Sequence, residues 1–127
     1  MSDFNSQKNR VVWVDVPVKD LDRAVAFYAA VLANNTEKMS FPGGEFGLLD
    51  HQDGNGGCLV LKPDEVSASG PLVYFNADGR IRDAVAQAEK LGAKILEPVT
   101  SMGPHGFRAV LLDSEGNRVA LHANSDG

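Results

Sequence analysis

A chain of 127 residues, 43% hydrophobic and 23% charged, is long enough to bury the core of one domain and too apolar to stay disordered. A net charge of −5 with no run of Lys and Arg speaks against nucleic acid, whose recognition rests on a basic patch. No stretch approaches the roughly 20 apolar residues of a membrane-spanning helix, so neither partner is expected.

Residues 1–10 are polar and lack the apolar core of a secretory signal; they read as a frayed tail. With Cys58 as the only cysteine, no intrachain disulfide is possible, and a cytoplasmic location is expected. Cys58 itself reads as a small buried residue in a strand. Val11 to Val18 is rich in β-branched residues and predicts a strand. Asp20 then supplies a capping oxygen, and Leu21, Ala24, Val25, Phe27, Tyr28, Val31 and Leu32 recur at helical spacing. Short antiparallel strands follow, divided by turn signals: Phe46 to Asp50 after Pro42-Gly43-Gly44, and Cys58 to Leu61 after Asp53-Gly54-Asn55-Gly56-Gly57.

The second half repeats the plan. Leu72 to Ala77 predicts a strand, and Ile81, Ala84, Val85, Ala88 and Leu91 mark a helix that Gly92 ends. Lys94 to Leu96 predicts a short strand. Phe107 to Leu112 and Arg118 to His122 flank the turn Asp113-Ser114-Glu115-Gly116-Asn117. Ala24-Val25-Ala26 answers Ala84-Val85-Ala86, and Leu21 answers Ile81, both at a spacing of 60 (84 − 24 and 81 − 21). A unit of that size cannot cover its own sheet face, so two units must pack together.

Two segments carry a resemblance. Val16-Pro17-Val18-Lys19-Asp20-Leu21-Asp22-Arg23-Ala24-Val25-Ala26-Phe27-Tyr28 is similar to the opening of the vicinal-oxygen-chelate superfamily, which includes glyoxalase I, bleomycin-resistance proteins and extradiol dioxygenases. Leu112-Asp113-Ser114-Glu115-Gly116-Asn117-Arg118-Val119-Ala120-Leu121 resembles its final hairpin. The resemblance implies an α+β fold of two tandem βαβββ modules, forming a curved, cupped mixed sheet with helices on the convex side. The expected domain spans 11–123, with module one at about 11–62, module two at about 70–123, and a tail at 124–127.

The resemblance also implies where a metal ion would sit, because metal-using members place imidazole or carboxylate ligands on the first and last strand of each module. Those positions fall here on Trp13, on Leu72 or Val73, on Ala120, and within 56–60, where only Cys58 carries a donor atom. The expectation is that no metal and no other cofactor is held. His51 reads as a solvated loop residue and His105 as a turn residue. His122 lies two positions beyond Ala120 and shares its face.

Period-two alternation puts Trp13, Asp15 and Pro17 on one face of the first strand and the valines on the other. The matching face of module two carries Leu72, Tyr74 and Asn76. Trp13 and Tyr74 as apolar walls, with Asp15 and Asn76 as polar fixing points, suit a small-molecule pocket; Arg108 and His122 complete the candidate ligand-binding set, with the facing of Arg108 left open. Asp15, an acid in an otherwise apolar strand, is the candidate general base. The favoured function is metal-free binding of a small organic molecule, as in the bleomycin-resistance branch. A glyoxalase-type lyase or isomerase, using a divalent metal or a metal-free acid and base, is the alternative, and a ligand-free interaction module the third. A homodimer is expected on resemblance.

Overall fold

In the computed structural model, which describes residues 9–126, the chain folds as two βαβββ units in tandem. β1 (Trp13–Val18), α1 (Leu21–Val31), β2 (Glu37–Phe41), β3 (Gly44–Leu49) and β4 (Gly56–Leu61) form the first. β5 (Val73–Asn76), α2 (Ile81–Lys90), β6 (Lys94–Ser101), β7 (Phe107–Leu112) and β8 (Arg118–Ala123) form the second. Each builds a four-stranded mixed sheet, in the orders β1-β4-β3-β2 and β5-β8-β7-β6. The first strand of each module runs parallel to the last, with Asp15 opposite Cys58 and Tyr74 opposite Ala120. The repeat inferred from the helices extends to the first strands, which also begin 60 residues apart (73 − 13).

The helices start and stop where local chemistry dictates. The Asp20 side chain accepts from the Arg23 backbone N–H at 3.0 Å, capping α1. Ala24, Phe27, Tyr28 and Val31 then form its buried stripe. At the end of α2, Gly92 takes a left-handed φ of 94°, which lets the Ala93 N–H reach the Ala88 carbonyl and the Gly92 N–H that of Glu89, a Schellman closure. The two helices meet where the Arg80 guanidinium donates to the Val31 carbonyl at 2.6 Å. One core joins the modules: Val16, Val18, Phe27, Tyr28 and Leu59 from the first pack in the same cluster as Phe75, Ile81, Leu111 and Leu121 from the second.

Two edge strands depart from the sequence expectation. β2 was not anticipated, because Glu37, Lys38 and Ser40 have little strand preference; it pairs only with β3 and is exposed throughout. β6 runs on to Ser101 instead of stopping at Leu96. Pro98 sits within its irregular stretch, between the register shifts around Glu97 and Thr100, where an edge strand tolerates a missing N–H.

Candidate functional site

The valine face of β1 does turn toward the helices: Val16 and Val18 are buried, whereas Asp15 is exposed and Trp13 and Pro17 are half-buried. Asp15 therefore lies on the open face of the first sheet. Its carboxylate accepts from the Trp13 indole N–H and from the Cys58 thiol, both at 3.2 Å. Asp15 bears no cost of burial, contrary to what its apolar neighbours along the strand suggest, because this face is open to water. Burial, followed by the hydrogen bond to Asp15, pushes the Cys58 thiol up to about 11, so it stays protonated near neutral pH and is a poor nucleophile.

On the second sheet, Tyr74, Asn76, Arg108 and His122 share the open face, since Tyr74 pairs with Ala120, Asn76 with His122, and His122 with Arg108. Arg108 donates to the Tyr74 hydroxyl at 2.5 Å and pairs with Glu97 at 3.0 Å, which answers the question of its facing. The His122 ring stands edge-on to Tyr74 with centroids 6.5 Å apart. Its Nε2 lies 2.7 Å from the His105 carbonyl, which can only accept, so Nε2 carries the proton and donates.

A cleft of about 840 Å³ opens between the start of β1 and the length of β5, within the range that takes a drug-sized ligand. Trp13, Tyr74 and Asn76 line it; Asp15, Arg108 and His122 do not. Leu32, Leu49 and Phe75 extend its apolar wall, and Asn34, Asp50 and Asn55 bring polar groups to it. Among the described residues, Asp50 is the one carboxylate lining it, and no Lys or Arg does.

His51 also lines the cleft and was missed from sequence. Its ring packs edge-on against Trp13 with centroids 5.7 Å apart, and its Nδ1 lies within 3.1 Å of the Gln52 and Gly54 carbonyls. The available signal was Gly56: a Cβ there would come within 2.5 Å of the imidazole, so glycine leaves the space the ring fills.

The positions to which the resemblance assigned metal ligands carry an indole, one thiol, apolar side chains and a methyl group, and a single thiol does not make up the ligand set of a divalent ion. Among the described residues, no group of three or more His, Cys, Asp or Glu side chains is arranged to hold a metal. The residues present do not fit the ion.

Away from the cleft, the turn between β7 and β8 holds a dense polar network. Glu115, whose side chain is fully buried, accepts from the backbone N–H groups of Lys19 and Asp20 at 2.9 and 2.8 Å, and from the Arg23 guanidinium at 2.7 and 3.0 Å. Burial alone would raise its pKa, but Arg23, the Asp20 and Lys19 N–H groups and Ser114 outweigh it and hold the carboxyl at about 2. Asp113 accepts from the N–H groups of Glu115, Gly116 and Asn117, and from the buried Tyr28 hydroxyl at 2.5 Å. The motif that resembled a family hairpin therefore ties module two to the start of α1.

A family model described as Glyoxalase/Bleomycin resistance protein/Dioxygenase superfamily matches residues 10–121. No curated protein matches the sequence. Among solved structures, a glyoxalase/bleomycin resistance protein/dioxygenase family enzyme from Burkholderia phytofirmans PsJN is similar at 22% identity and a TM-score of 0.66, covering 87% of this chain and 95% of that one. The genomically encoded fosfomycin resistance protein of Listeria monocytogenes is similar at 18% identity and a TM-score of 0.67, over 92% of this chain and 94% of that one. Lactoylglutathione lyase from Agrobacterium tumefaciens is similar at 16% identity and a TM-score of 0.60, over 92% and 96%. At these identities the likeness concerns the fold.

Proposed function

We propose, for a chain that belongs to the Glyoxalase/Bleomycin resistance protein/Dioxygenase superfamily, that it binds a small organic molecule in the cleft beside β5 and does so without a metal ion. The observation that carries this reading is the cleft itself, about 840 Å³ walled by Trp13, Tyr74 and Phe75, in a chain whose residues at the ligand positions offer no imidazole or carboxylate. An apolar space with a few polar groups is the form of a small-molecule site. Trp13, Tyr74 and Asn76 contact the ligand in this reading. Asp15, Arg108 and His122 stand on the open faces of the sheets outside the cleft, and a homodimer is proposed as well. Exposed Met39 and Phe41 on β2 support such a homodimer. No helix among the described residues is long and apolar enough to cross a membrane, and a cytoplasmic location belongs to the same proposal.

Native mass spectrometry of freshly isolated protein, paired with elemental analysis of material prepared without added metal, tests the reading. A retained organic compound and no stoichiometric divalent ion is the expected result. A bound ion at one per chain would transfer the argument to a lyase or isomerase of the glyoxalase type.

A further inference from the structure

We infer that the cleft is built to recognise a neutral, apolar-bodied compound through its carbonyl oxygens, with the Asn34 and Asn76 amides and the Tyr74 hydroxyl as donors. The inference rests on the proposed binding function and adds the chemical class of ligand. The three side chains share one feature: the oxygen of each already accepts a hydrogen bond. Asn34 Oδ1 accepts from the Thr36 N–H at 3.1 Å and the Thr36 hydroxyl at 2.6 Å. Asn76 Oδ1 accepts from the Asp78 N–H at 2.9 Å. The Tyr74 oxygen accepts from Arg108 at 2.5 Å.

These bonds assign the orientation of each group, because an amide whose oxygen is held must present its NH₂ elsewhere. A phenol that accepts from a guanidinium must likewise send its own proton to something other than that guanidinium. No described residue accepts from the Asn34 or Asn76 Nδ2 or from the Tyr74 O–H, and all three residues line the same cleft. A carbonyl oxygen of a ligand in this cleft would give these three donors an acceptor.

Charge narrows the class further. An anion would satisfy the donors, but Asp50 borders the same space and no Lys or Arg among the described residues lines it, so an anionic ligand would be desolvated without a cation from them. A neutral carbonyl oxygen avoids that cost. Glu97 and Arg108 are then positioning residues: Glu97 holds the guanidinium at 3.0 Å, and the guanidinium orients the Tyr74 hydroxyl.

The matched pair flavanone and flavan, identical but for the carbonyl, tests the inference, with the cation benzamidine as a third probe. Trp13 is the only tryptophan in the chain, so its quenching reports occupancy of the cleft, and calorimetry gives the Kd. Flavanone should bind at least about tenfold more tightly than flavan. Asn76→Asp and Asn34→Asp, which turn donor into acceptor at nearly constant shape, and Tyr74→Phe should each erode that preference. Glu97→Gln should weaken flavanone binding while leaving flavan binding unchanged, a split that a merely structural role would not produce. Equal affinity for flavanone and flavan, or tighter binding of benzamidine, would overturn the carbonyl assignment while leaving the binding function intact. Absence of quenching by all three probes would sink both.

Discussion

The third and fourth strands of each module are joined by a turn, and the two turns have opposite fates. In module two the turn spanning Asp113 to Asn117 is saturated with internal bonds and docks on the first module, Glu115 at the start of α1 and Asn117 on the Pro17 carbonyl of β1. In module one the corresponding loop, Asp50 to Asn55, folds back on itself through His51 and Gly54 and borders the cleft. The fold repeats, but the repeat is broken at this point. Where one turn plugs the seam between modules, its counterpart leaves an opening with His51 at its edge. The two equivalent loops thus differ in that one borders the cleft and the other fills the seam.

Removing the plug should have the largest effect. Glu115→Ala strands the Lys19 and Asp20 N–H groups at the start of α1 and should cost about 2–4 kcal/mol in urea unfolding, tempered by the half-exposed Arg23. The same carboxyl gives a pH signature. Its folded pKa, about 2, lies below the ordinary 4.5, so the unfolded chain binds the proton first as pH falls. Its stabilisation is complete above 4.5 and is lost as pH drops toward 2. Glu115→Gln should flatten that part of the pH profile; an unchanged slope would mean the turn does not hold the modules together.

A smaller cost is expected for Tyr28→Phe, roughly 1–2 kcal/mol, because Asp113 loses one buried donor and keeps its backbone donors. Flavanone affinity should not move, since Tyr28 does not line the cleft. The mildest change tests the open loop. Gly56→Ala should push the imidazole off Trp13 and shift the indole emission, with a melting temperature close to that of the parent. An unaltered emission spectrum would show that the glycine is not what seats His51.

Much of the fold was legible because it is written at short range. Helical spacing from Leu21 to Leu32, the cap at Asp20, the glycine at 92 and the alternation along β1 each need only a few neighbouring residues to act. The edge strands were harder, since Glu37 to Phe41 and the stretch through Pro98 are strands by virtue of a partner and not by their own preference. Trp13, Tyr74 and Asn76 could be chosen from alternation alone, and they do meet at one cleft.

Which polar groups found each other was not legible. Asp15 looked buried from its apolar neighbours along the chain, yet only the opposing surface decides whether a strand face is covered. Tyr28 and Asp113 lie 85 residues apart, and no local pattern announces their bond. Periodicity along the chain established the elements, the repeat and the apolar faces, because those follow from backbone geometry. Packing of the two modules alone decided that the 113–117 turn would become a clasp and the 50–55 loop the rim of an opening, because burial and hydrogen bonding depend on what lies across the gap.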